Sequence, residues 1–223
     1  MRTKHVIITN EEELLNILNE RADEIDIIKD ESLMNKIVSR LKTLIKKNKC
    51  LALSAPQIGY NYRIFCINFN GDIRTFINPM IVKSAGLHLS RESCISVSNS
   101  EEYLLLRNDE IIAMYQTPTI FKYDNKPEQN KFINEAASLF QQMTNLLDGI
   151  LISDIGEKLP DNFDELSDEE QTAFVDNYVN TIKEFTKSIT DMINEDPELK
   201  QQLDAIDFMT KVSTGEVILE KNE

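Results

Sequence analysis

Gln141-Gln142-Met143-Thr144-Asn145-Leu146-Leu147-Asp148-Gly149 closes a run in which apolar residues recur at three- and four-residue steps. Phe132, Ala136, Leu139 and Phe140 lead into it, Met143, Leu146 and Leu147 lie within it, and Ile150 follows. That spacing predicts a helix over about residues 130–148 with one continuous apolar face.

Two segments upstream say which fold. Leu53-Ser54-Ala55-Pro56-Gln57-Ile58-Gly59 and, later, Glu92-Ser93-Cys94-Ile95-Ser96-Val97 stand in the order and separation of the first two motifs of one hydrolase family. Ile77-Asn78-Pro79 lies between them and Arg107 follows. On these residues the chain resembles the peptide deformylases over roughly residues 1–155. That family's first motif runs Gly-x-Gly-Leu-Ala-Ala-Pro-Gln-x-Gly, and its two leading glycines fall on Cys50 and Ala52; its second runs Glu-Gly-Cys-Leu-Ser, and its glycine falls on Ser93. Its third, Gln-His-Glu-x-Asp-His-Leu-x-Gly-x-Leu, aligns without a gap onto Gln141–Leu151. Gln141, Leu147, Gly149 and Leu151 match, while the first histidine is Gln142, the glutamate Met143, the aspartate Asn145 and the second histidine Leu146.

The resemblance implies an α+β, peptide-deformylase-like fold: antiparallel sheets around a central helix, followed by a C-terminal helical extension. In the family, one cysteine and two histidines a helical turn apart hold a divalent metal, and the glutamate between them handles the proton of the metal-bound water. Here Cys94 is the sole matching ligand, and a lone thiolate makes no tight site where three or four protein ligands are needed. Met143 cannot take a proton and Leu146 cannot bind metal, so no metal or other cofactor is expected. The chain has only two histidines, His5 and His88, and His88 reads as a solvated or hydrogen-bonded side chain rather than a replacement ligand. The family's oxyanion donors correspond to Gln57 and the backbone amide of Ile95. Beside that catalytic reading stands a structural one, in which the Gln57 amide ties its loop to the sheet. Gln57, Cys94, Ile95, Gln142, Met143 and Leu146 thus outline a vestigial cleft with no catalytic residue expected to function. A buried, unpaired glutamate costs several kcal/mol, so replacing it once metal is absent is stabilising.

The composition limits what else the chain can be. Its 223 residues, 41% of them apolar, suffice for one medium domain and an appendage. Three cysteines in no secreted-framework pattern, no signal-like start and no long apolar stretch predict a soluble, cytoplasmic protein with no membrane contact. From Glu157 onward there are 18 acidic and 6 basic residues, a balance of −12, against −2 for the preceding 156. Such a surface repels phosphate backbones and excludes direct nucleic-acid binding, while it can steer the chain toward a basic partner.

Local patterns divide the chain at residue 156, giving a deformylase-like domain over 1–156 and an acidic helical extension over 157–223. In the first, after Val6-Ile7-Ile8, a helix starts at Asn10 with Leu14, Leu15, Ile17 and Leu18, and a second spans about 31–47 with Leu33, Ile37, Leu41, Leu44 and Ile45 on one face. Strands are predicted at 63–69 and 73–77 around an Asn70-Gly71 hairpin turn, then near 81–89, 94–99, 103–107, 110–116 and 119–123, with a break at Asp124-Asn125-Lys126-Pro127. In the extension, Ser167-Asp168-Glu169-Glu170 is a capping box opening a helix to about Glu195. Its Phe174, Tyr178, Ile182, Phe185, Ile189 and Met192 approach a heptad seam, read as the partner-binding face. Asp196-Pro197-Glu198 starts a shorter helix with Leu199, Leu203, Ile206 and Met209, and Val217-Ile218-Leu219 reads as a last strand.

Two functions follow from these patterns. One is a catalytically inactive deformylase-like protein, a structural or binding subunit of a larger assembly that meets a protein partner or a second copy through its C-terminal helices. Phages encode deformylases, which places a virion component among the assemblies considered. The other is a divergent active deformylase that removes formyl groups from nascent polypeptides.

Overall fold

The computed structural model describes residues 16–118 and 126–204, with the side chains of 98–100 left aside. The Val6–Ile8 segment, the start of the first helix, His5, the 119–123 strand, Ile206, Met209 and the 217–219 strand lie outside these residues. The chain forms two compact units, Met1–Leu159 and Pro160–Glu223.

In the first unit, helix α1 (Glu31–Asn48) ends where Lys49 turns into the left-handed region, and buries Met34, Ile37, Val38, Leu41, Leu44 and Ile45 along one face. Strands β1 (Ala52–Ser54), β2 (Ile64–Phe69), β3 (Asp72–Ala85), β6 (Glu110–Gln116) and β7 (Glu128–Ile133) make a five-stranded sheet in the order β1-β2-β3-β6-β7. A second sheet of β4 (His88–Cys94), β5 (Ser98–Arg107) and β8 (Glu157–Lys158) has the order β4-β5-β8. Every pairing between these strands is antiparallel. The β2–β3 hairpin turns on Asn70 and Gly71, whose φ of 52° and 101° are those that an Asn-Gly turn supplies cheaply.

Alternation along β2 explains the layering. Its Phe65 and Ile67 belong to one apolar cluster and its Ile64 and Cys66 to another, as the period of two in a strand requires. The Ile64 side packs with α1, and the Phe65 side packs with helix α2 (Glu135–Leu147). Phe140 of α2 centres that second layer, with its ring 5.0 Å from Phe65, 5.2 Å from Phe76 and 4.8 Å from Phe132. The short helix α3 (Ile152–Ile155) follows. Gly149, between the two helices, has φ +74°, and a Cβ there would stand 2.8 Å from the Asn19 carbonyl oxygen. Only glycine fits both conditions.

Three expectations shift. The helix predicted from about residue 130 starts at Glu135, because 128–133 pairs along β6 as an edge strand, with Phe132 opposite Ile111 and Asn130 Nδ2 bonded to the Tyr115 hydroxyl at 2.7 Å. Asn134, at φ 53°, makes the strand-to-helix corner. The strands expected at 73–77 and near 81–89 are largely one strand, β3, which runs through Asn78-Pro79 by a register shift between Ile77 and Met80. The 94–99 strand is instead a turn: β4 ends at Cys94, Val97 N–H donates to the Cys94 carbonyl at 2.9 Å, and β5 starts at Ser98.

The second unit is built on α4 (Asp168–Glu195). Its capping box forms as predicted, with Glu170 N–H donating to Ser167 Oγ and Ser167 N–H to the Glu170 carboxylate. Phe163 stacks edge-on against Phe174 at 5.6 Å, and Gln171 Nε2 donates to the Phe163 and Leu166 carbonyls. Asp196 then accepts from the N–H groups of Glu198 and Leu199, starting a helix that runs through residue 204 of the described residues. Among the described residues, no helix is long and apolar enough to cross a membrane.

Candidate functional site

The first unit brings the cleft residues together from three elements. Gln57 sits in the 3-10 turn Pro56–Ile58 and is 2% exposed. Its Oε1 accepts from Ser54 N–H at 2.9 Å and from Ser54 Oγ at 3.2 Å, while Nε2 donates to Ser96 Oγ at 3.0 Å and approaches Cys94 Sγ at 3.9 Å. One amide therefore ties β1 to the 95–97 turn. That is the structural role expected for Gln57, and the same position leaves it beside Cys94.

Cys94 closes β4 and is buried in the cluster that holds Met143, Leu146 and Leu147. Burial pushes its thiol up from the ordinary range, only partly countered by hydrogen bonds from the Ser96 and Val97 backbone. Ile95, one residue on, packs against the other cluster, with Leu53, Ala55 and Ile58.

On the helix side, Met143 and Leu146 are 3% and 1% exposed. Gln142 is buried too, and its Nε2 donates to the Ser93 carbonyl of β4 at 3.0 Å. One helical turn earlier, Ser138 Oγ stands 3.0 Å from His88 Nε2, and His88 Nδ1 is 2.8 Å from the Asp109 carboxylate. Residues 138 and 142 therefore fasten α2 to β4 at both ends of that strand. His88 is hydrogen-bonded through both ring nitrogens.

The donor set does not fit the divalent metal that the family motif implies. Cys94 is the one matching ligand, Gln142 offers a neutral amide in place of an imidazole, with its Nε2 donating to a backbone carbonyl, and the two remaining positions are thioether and hydrocarbon in the core. Among the described residues, no three His, Cys, Asp or Glu side chains gather to hold an ion.

Several polar contacts that position this site were not singled out in the sequence. Arg107 makes a two-pronged ion pair with Glu92, both contacts 2.8 Å, with the side chains 4% and 9% exposed, and donates to Asn145 Oδ1 at 2.6 Å. Gln141 bridges the Asn108 backbone in both directions at 3.0 Å. The signal was there in the polar pair Gln141 and Asn145, one turn apart beside an apolar stripe, since buried amides need partners. Arg63 likewise reaches Asp148 at 2.6 Å and the Leu147 carbonyl, pinning the end of α2. A polar cavity of about 360 Å³ opens here, bordered by Arg21, Arg63, Arg107, Thr144, Asn145 and Asp148.

The proposed partner face lies in the second unit and is unevenly covered. Phe174 and Ile182 are half-buried and Tyr178 is buried, whereas Phe185, Ile189 and Met192 are exposed.

Comparison with known proteins agrees with this architecture. The chain is 30% identical over 138 residues to a peptide deformylase of Dictyoglomus turgidum, covering 62% of this chain and 85% of that protein. It is 35% identical over 97 residues to one from Karelsulcia muelleri, 41% of this chain, and so spans about half (51%) of that relative's length. The Thermotoga maritima peptide deformylase structure superposes with a TM-score of 0.58 at 24% identity, over 68% of this chain and 96% of that one. A Synechococcus phage structure described as a "probable peptide deformylase" gives 0.57 at 24% identity, over 67% and 97%. The family pattern of polypeptide deformylase matches residues 4–160, and on that match, which takes in all three motif segments, the chain belongs to the polypeptide deformylase family.

Proposed function

We propose that this protein is a deformylase-like protein that does not hydrolyse formyl-peptides and acts as a structural or binding subunit of a larger assembly. One observation carries the reading: Met143 and Leu146, standing at the family's base and second histidine, are part of the apolar core with Cys94. A hydrolase of this family needs an activated water; Leu146 has no ligand atom, Met143 takes no proton, and Gln142 offers a neutral amide where the family has an imidazole. The preserved Gln57 and the turn after Cys94 need another reason, and the bonds of Gln57 to Ser54 and Ser96 supply one. The described residues that would meet a partner are on α4, outside the family match. A phage source for a similar structure suits a virion or other viral assembly as the setting.

The alternative, an active deformylase acting on nascent chains, rests on the proximity of Gln57 and Cys94. Turnover of a formyl-Met-peptide by the full chain, assayed with added ferrous, nickel and zinc ions, separates the two. The proposal expects no release of formate above the rate without protein. Metal-dependent release abolished by Cys94→Ala would establish the alternative.

A further inference from the structure

The C-terminal half of α4 carries an apolar stripe with only Glu195, in its last turn, as a charge on its flanks. Ile182, Phe185, Ile189 and Met192 alternate three- and four-residue steps, the a and d positions of a heptad. Phe185 and Met192 are 67% and 63% exposed, and Ile189 is 40% exposed. Large apolar residues aligned this way mark an interaction surface rather than scattered solvent-facing side chains.

Charge indicates what covers it. Because the region from Glu157 onward carries −12, a basic helix is the first candidate. Such a partner would need acidic residues at the e and g positions beside the stripe, where charges of paired helices meet. Those positions hold Thr181, Thr186, Ser188 and Ile193, with a single carboxylate, Glu195, at the g position of the last turn. The charged residues of this stretch, Lys183, Glu184, Lys187 and Asp191, fall on the b, c and f positions of the far side, and their charges cancel. The rim therefore offers a basic helix one carboxylate, at its very end. It also puts no like charges together when the helix meets its own copy, despite the −14 of the whole chain.

We propose that α4 pairs through Ile182, Phe185, Ile189 and Met192 with the same segment of a second copy of this chain. This names the partner within the binding role proposed above. It depends on the surface of α4 and not on loss of hydrolysis, so an active protein would leave it standing.

Sedimentation of the full chain over a range of concentrations tests the pairing. The expected mass is twice that of one chain in the micromolar range, and Ile189→Glu weakens self-association roughly 100-fold because a carboxylate enters an apolar contact. Lys187→Glu, on the far face, leaves it within about twofold. Far-ultraviolet circular dichroism confirms that α4 remains helical; if Ile189→Glu loses helicity, Phe185→Ala takes its place, with a weakening of about tenfold expected. A monomer at every concentration overturns the proposal, as does a dimer indifferent to the substitution.

Discussion

Helices α2 and α4 carry apolar stripes of the same helical period and meet opposite fates. Of the 13 residues of α2, eight are buried, whereas Tyr178 is the only buried residue among the 28 of α4. The periodicity names the face that wants cover, and what lies around it decides whether cover is found within the chain. Around α2 the apolar face is covered and polar members are paired: Gln141, Gln142 and Asn145 each have a partner among Asn108, Ser93 and Arg107. On α4 the stripe runs out beyond Ile182, into solvent.

The contrast is broken most directly by one phenylalanine from each helix. Phe140→Ala should destabilise the fold by about 3–5 kcal/mol in urea titrations, since it removes the centre of a ring cluster. Phe185→Ala, measured in dilute protein, should change stability by less than about 0.5 kcal/mol. Equal losses would mean that α4 is as fully packed as α2.

Arg107→Ala follows, at about 3 kcal/mol, because it strands the Glu92 carboxylate in a site where that side chain is 9% exposed. Adding Glu92→Gln should recover part of the loss. No recovery would show that Arg107 matters mainly through Asn145.

The smallest effect concerns the thiols. Burial pushes Cys66 up to about 11 and raises Cys94 as well. With the folded value above the unfolded one of about 8.5, the native state keeps a proton that the unfolded chain releases. The stabilisation is complete below about pH 8.5 and is lost as pH climbs toward 11. Urea midpoints should decline over that window, and less steeply in Cys66→Ala. A flat profile would mean that the sulfur sites are open to water.

Much of the fold was legible because its signals are local. Helix α1, the Asn70-Gly71 hairpin and the Ser167 capping box each follow from a few neighbouring residues. Strand β7 was not, since Glu128-Gln129-Asn130-Lys131 has no apolar alternation and becomes a strand only by pairing with β6. The Asn78-Pro79 passage through β3 was likewise obscured, because a proline without an N–H reads as a break and the bulge absorbs it. At the site, identities at 57, 94, 142, 143 and 146 were readable one by one from the family motifs. Their partners were not, because Ser96 meets Gln57 and the Ser93 carbonyl meets Gln142 only through tertiary contacts.

The central claim is that a metal site has become core, and metal stoichiometry tests it most directly. The purified full chain, equilibrated with zinc or cobalt and freed of excess, should hold far less than one ion per chain, with no cobalt–thiolate absorption and no change in the melting temperature. About one ion per chain, lost in Cys94→Ala and accompanied by a stabilised fold, would contradict the account.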